Sequence, residues 1–136
     1  MPSDVSQVPT GQLKPTEGAP RRCLIVDDEA IISMDLEQIV NSYGLYAVDK
    51  AYTIADALNL VRANFYDIAL LDMNVRSESI LPVLEILSKN NTPMVIVTGS
   101  KELPHSLQHL PMVSKPFEEF DIITILTQLL SQEKVS

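Results

Sequence analysis

The sequence predicts an α/β fold, a doubly wound parallel sheet of five strands with helices on both faces. Two observations carry that reading. Short apolar runs alternate along the chain with segments whose apolar residues recur at helical spacing. Four of those runs also stop at a chemically active residue. Cys23-Leu24-Ile25-Val26 stops at Asp27-Asp28-Glu29, and Ile68-Ala69-Leu70-Leu71 at Asp72. Met94-Val95-Ile96-Val97 stops at Thr98-Gly99, and Met112-Val113-Ser114 at Lys115-Pro116. Parallel strands share a carboxyl edge, which is where open α/β sheets bind ligands.

Taken in order, the first strand is followed by Glu29–Tyr43, where Ile32, Leu36, Ile39, Val40 and Tyr43 keep helical spacing. Gly44 ends that helix as a natural C′ residue. Leu45–Ala51 reads as the second strand, and Thr53 caps a helix whose apolar face is Ile54, Ala57, Leu58 and Val61. Asp67–Leu71 is the near-continuous apolar run of a strand covered on both faces. Pro82 suits the first turn of a third helix through Val83, Leu84, Ile86 and Leu87. Met94–Val97 is the fourth strand. Lys101–Gln108 reads as a short helix whose start Pro104 disturbs. Met112–Ser114 is the fifth strand, and Phe117–Leu130 an apolar final helix with a second stripe at Ile122, Ile125 and Leu129.

The 136 residues fit one domain with a proper core. Residues 1–20 carry four prolines and two glycines with few large apolar side chains, the composition of a disordered tail. The folded domain is expected over residues 21–131, with 132–136 a flexible end. No apolar run approaches the roughly 20 residues that span a bilayer. The single cysteine, Cys23, lies within an apolar run and reads as a core residue, which excludes a disulfide framework and fits a cytoplasmic setting. A net charge of −8 argues against nucleic acid as a partner, and the lone basic pair Arg21-Arg22 reads as a solvated lead into the first strand.

With strand order 2-1-3-4-5, the switch point falls between strands 1 and 3. Asp27-Asp28 and Asp72 then leave adjacent strands, roughly 5 Å apart. Carboxylates so close either rise in pKa or take up a cation, and Mg²⁺ favours carboxylates together with phosphate oxygens. Asp72 leaves a central strand and is the natural nucleophile toward a phosphoryl donor. Lys115 starts roughly 10 Å away, within reach of its long side chain. Thr98, from the strand between them, brings a hydroxyl to the same place. Each piece alone is weak, since an acidic run after a strand is usually a solvated loop. Their order and spacing together make the site.

That ordered set resembles a response-regulator receiver domain of two-component signalling, over about Arg22–Leu130. The resemblance implies a flavodoxin-like (βα)5 fold. It implies that Asp72 is the phosphoacceptor, with Asp28 as a direct Mg²⁺ ligand, Asp27 as its acidic partner and Asn74 lending a backbone carbonyl. Thr98 would be the switch hydroxyl and Lys115 the phosphate-pairing lysine, with a cis peptide before Pro116. The implied partners are a histidine kinase or histidine phosphotransfer protein and a downstream protein, without nucleic acid or membrane insertion. The protein would be a stand-alone phosphorylation switch or relay member rather than an enzyme.

Two features depart from that family's usual pattern. Met112 stands where receivers carry Tyr or Phe, and Asn74-Val75-Arg76-Ser77-Glu78 follows the phosphoacceptor where an early proline is usual. The later Pro82, Thr98-Gly99 and Leu103-Pro104 resemble an atypical receiver subclass with a Phe-Ala-Thr-Gly-type motif, associated with alphaproteobacterial stress signalling. Two other functions fit less of the sequence. A degenerate receiver acting as a docking module would not need the complete acid–Thr–Lys set. An aspartyl-phosphate phosphohydrolase would need a carboxylate at position 74, where Asn74 cannot shuttle a proton. His105 and His109 read as surface residues.

Overall fold

The computed structural model describes residues 13–14, 21–100 and 102–135. The tail expected over residues 1–20 lies outside the described residues except for 13 and 14. There the Leu13 amide donates to Asn90 Oδ1 at 2.8 Å.

Five parallel strands form the sheet: β1 (Arg22–Val26), β2 (Ala47–Ala51), β3 (Ile68–Leu71), β6 (Met94–Thr98) and β7 (Met112–Ser114). Their order is β2-β1-β3-β6-β7, the expected 2-1-3-4-5. The numbering skips because a two-stranded hairpin, β4 (Asn74–Val75) with β5 (Glu78–Ser79), interrupts the third crossover. Four α-helices complete the fold: α1 (Ala30–Tyr43), α2 (Ile54–Ala63), α3 (Leu81–Lys89) and α4 (Glu119–Val135). The expected helix over Lys101–Gln108 is only a 3₁₀ turn at His105–Leu107, with Lys101 outside the described residues. Pro104, extended at ψ 151°, precedes that turn, so the chain enters it from extended backbone. Helix α4 runs on past residue 131 through Val135.

Side chains alternate across the sheet, as a period of two requires. Leu24, Val26, Ala69, Leu71 and Ile96 face α2 and α3, meeting Ile54, Ala57, Val61, Val83 and Leu87. Cys23, Ile25, Ile68, Leu70 and Val97 face α1 and α4, meeting Leu36, Val40, Ile122, Leu126 and Leu130. Each such Leu or Ile taken fully out of water contributes about 1.5–3 kcal/mol toward offsetting chain entropy. On α4, Ile122 is fully buried and Ile125 and Leu129 pack against the second cluster, so that stripe widens the buried face.

Helix ends follow their local chemistry. Thr53 Oγ1 accepts from the Asp56 amide at 3.1 Å, the expected N-cap. Gly44 ends α1 at φ 119°, and its amide closes back on the Val40 and Asn41 carbonyls. Arg22 departs from its reading as a solvated residue. Its guanidinium meets Asp49 Oδ2 at 2.6 Å and lies over the Tyr66 ring, whose hydroxyl donates to the same oxygen at 2.6 Å.

Candidate functional site

Register places the site. Val26 of β1 pairs with Leu71 of β3, so Asp27 and Asp72 leave neighbouring strands at one level. The Asp72 amide donates to the Val26 carbonyl at 2.8 Å, and the Asp27 amide to Ala51 at 3.1 Å. Thr98 ends β6 opposite Ser114, and its carbonyl accepts from the Lys115 amide at 2.8 Å. The backbone of four adjacent strands therefore fixes where each functional side chain begins.

Oxygens of Asp27, Asp28 and Asp72 lie within 4.8 Å of one another. Asp27 is 1% exposed; its Oδ1 accepts from the Glu29 amide at 2.9 Å, while Oδ2 has no aligned hydrogen-bond donor. That second oxygen faces the Lys115 ammonium at 2.8 Å, and the same ammonium lies 3.3 Å from Asp72 Oδ2. Lys115 thus reaches back over the site as its length allows, across a cis Lys115–Pro116 bond. Burial pushes the Asp72 carboxyl above its ordinary range and Asp27 adds to the shift, with Lys115 opposing both. Burial works against the Lys115 charge, but Asp27 and Asp72 outweigh it and hold its pKa above the usual value.

Asp27 Oδ2, buried and ion-paired with Lys115, stands beside two further carboxylates, an arrangement of hard oxygens that suits a small divalent cation. Asp27, Asp28 and Asp72 fit such an ion by the chemistry of the set. Asn74 falls in β4 with an exposed side chain. Ile80 donates to the Met73 carbonyl at 3.0 Å, which makes Asn74–Ser79 the non-hydrogen-bonded pair of the hairpin. Members of such a pair turn their backbone groups away from the partner strand. The hairpin ladder therefore leaves the Asn74 carbonyl unclaimed.

Thr98 is 3% exposed and its Oγ1 accepts from the Ser100 amide at 3.2 Å, so the hydroxyl is engaged with its own loop. A side chain added at Gly99 would meet no protein atom, and the glycine keeps open space beside it. Met112 is 37% exposed and borders two open grooves, one with Phe120 and Ile125, the other with Leu103 and Leu110. His105 and His109 are exposed, and Cys23 is fully buried with its thiol pKa pushed up by burial.

One contact at the site escaped the sequence. The Arg76 amide donates to Asp28 Oδ2 at 3.0 Å from the turn of the hairpin. Arg76 and Ser77 sit at φ 52° and 69°, where turn-forming Gly, Asn or Asp is the usual signal. None of those residues is present to give the turn away.

A doubly wound sheet with an acid cluster, a hydroxyl and a lysine converging on its carboxyl edge defines a flavodoxin-like domain with its candidate site at the topological switch point. The comparison with known families names it: residues 23–127 match the response regulator receiver domain, and the chain belongs to that family. It is 29% identical to the transcriptional regulatory protein PdtaR of Mycobacterium tuberculosis, over 83% of this chain and 58% of PdtaR. The chain spans about half the length of the curated relatives it matches. Among solved structures it resembles SdrG from Sphingomonas melonis Fr1, with TM-score 0.73 and 32% identity over 82% of this chain and 97% of that one. It also resembles the receiver domain of the response regulator PhyR from Erythrobacter litoralis, with TM-score 0.69 and 28% identity over 83% and 92% of the two chains. No helix among the described residues is long and apolar enough to cross a membrane.

Proposed function

We propose that the protein is a phosphorylation switch in which Asp72 accepts a phosphoryl group from a histidine kinase or a histidine phosphotransfer protein. The observation that carries this reading is the Lys115 ammonium lying between Asp27 and Asp72, at 2.8 and 3.3 Å, at the edge of the sheet. An Asp72 oxygen attacks the phosphorus of a phosphohistidine; the O–P bond forms, the P–N bond breaks, and the electron pair returns to the imidazole. The product is an acyl phosphate.

Mg²⁺ held by Asp27, Asp28, Asp72 and the Asn74 carbonyl would neutralise the phosphoryl oxygens. Lys115 is placed to pair with the new phosphoryl group, which adds about −1.5 to −2 charge next to it. Thr98 gives up the Ser100 amide and donates its hydroxyl to the same group. That exchange moves the loop after β6, and with it the segment against Met112. The Thr98-Gly99 sequence, Met112 and the likeness to SdrG and PhyR support an atypical receiver of the Phe-Ala-Thr-Gly type. The soluble setting in this reading is cytoplasmic, and output runs through a protein partner or onward relay.

Intact mass after incubation with Mg²⁺ and a small acyl phosphate tests the reading. One added phosphoryl group in the wild type, and none in Asp72→Ala or without Mg²⁺, is the expected result. The same gain in Asp72→Ala overturns the assignment.

A further inference from the structure

The hairpin after Asp72 bears directly on the carboxylate cluster. Its base is fixed, because Val75 and Ile80 are fully buried in the core beside α2 and α3. Val75 pairs with Glu78, so only Arg76 and Ser77 make the connection, and both take positive φ. A two-residue hairpin needs that conformation, since its twist must match the twist of the strands. L-residues other than Gly, Asn and Asp adopt it at a cost, and they hold it only where the surroundings over-determine the backbone. Here the surroundings are the anchored base on one side and Asp28 on the other, 48 residues away in sequence, accepting from the Arg76 amide at 3.0 Å. One hydrogen bond leaves a carboxylate with further acceptor capacity toward a cation. The same turn geometry fixes Asn74 as the residue whose carbonyl the ladder does not use.

We propose that the Arg76–Ser77 turn is a positioning element that orients Asp28 for the divalent cation, and that the backbone conformation tolerated at Ser77 sets how tightly the cation is held. This rests on the reading of the site as a receiver's cation site. Arg76 acts through its backbone amide on Asp28.

The test is Mg²⁺ affinity, measured by amide chemical shifts on the full chain with no phosphoryl donor present. Ser77→Val places a β-branched residue at φ 69° without changing charge. It is expected to weaken Mg²⁺ binding about fivefold, the effect of a penalty near 1 kcal/mol on the competent conformation. Ser77→Gly, which removes the strain, should bind at least as tightly as the wild type. If Ser77→Val does not fold, Ser77→Thr supplies the same comparison at smaller amplitude. An Asp28→Ala background separates positioning of Asp28 from other effects of the turn, the Asn74 carbonyl included, because there the Ser77 substitutions should alter the remaining affinity by clearly less than in the wild type. An affinity insensitive to Ser77, or an equal loss in the Asp28→Ala background, overturns the proposal alone. A wild type that binds no Mg²⁺ overturns the cation-site reading with it.

Discussion

The Lys115 ammonium stands closer to Asp27, at 2.8 Å, than to Asp72, at 3.3 Å. Asp27 is the more deeply buried of the two, and its Oδ2 has no aligned donor elsewhere. Lys115 is therefore first a counter-charge for Asp27, and Asp72 is the more accessible carboxylate of the two, as the proposed phosphoacceptor must be.

Removing the counter-charge strands the buried Asp27 carboxylate and the partly buried Asp72. Lys115→Met should lower unfolding free energy by about 3 kcal/mol in the presence of a chelator, as for other broken buried pairs. Millimolar Mg²⁺ should restore more stability to this variant than to the wild type, because ligand binding to the native state stabilises it by mass action. Urea unfolding with and without Mg²⁺ measures both effects. An equal Mg²⁺ response in the two proteins would contradict the shared role.

In the proposed switch the Thr98 hydroxyl acts after transfer, leaving the Ser100 amide from which it accepts at rest. Thr98→Ala should reach the same phosphorylation yield as the wild type. Its amide spectrum should change less on phosphorylation near Ser100 and Met112. Comparing the two spectra decides the point, and a lost yield would place Thr98 in the transfer step instead.

Alkaline stability should depend on Tyr66. Burial first, and then its hydrogen bond to Asp49, raise the Tyr66 phenol above its ordinary value of 10.0. A folded pKa above the unfolded one gives stability that is fully present below about pH 10 and is lost as pH rises beyond it. Tyr66→Phe should cost about 1 kcal/mol at neutral pH through the lost hydrogen bond. It should also show a shallower decline above pH 10 in a stability–pH series, with buried Cys23 keeping some slope.

Gly44 tests the backbone alone. A side chain there meets no neighbouring atom, but φ is 119°. Gly44→Ala should therefore lower stability by about 1–2 kcal/mol with no loss of phosphorylation. Thermal unfolding and intact mass together check this.

How much of this was legible in the sequence depended on whether a signal is local. The apolar runs from Cys23, Ile68 and Met94 are buried on both faces, so their composition announces them, and the order of the sheet follows from the crossovers. Gly44 and Thr53 marked helix ends because their chemistry is specific to those positions. The hairpin was illegible because its turn uses Arg76 and Ser77 where glycine or asparagine gives the signal, and tertiary anchoring by Val75 and Ile80 holds it. The helix expected at Lys101–Gln108 shrank to one 3₁₀ turn because, among the described residues there, only Leu107 is buried deeply enough to hold it to the core. At the site, the spacing of Asp27, Asp28, Asp72, Thr98 and Lys115 brought the residues to one edge. The ion pairing of Lys115 with Asp27 and the turning of Thr98 toward Ser100 depend on side-chain packing, which spacing does not encode.

The most direct measurement is borohydride reduction of the phosphorylated protein followed by peptide mass mapping, because reduction converts an acyl phosphate to an alcohol at the residue that carried it. One reduced site is expected, in the peptide containing Asp72, formed only when Mg²⁺ was present. Reduction at Asp27, Asp28 or a carboxylate outside the cluster would contradict it.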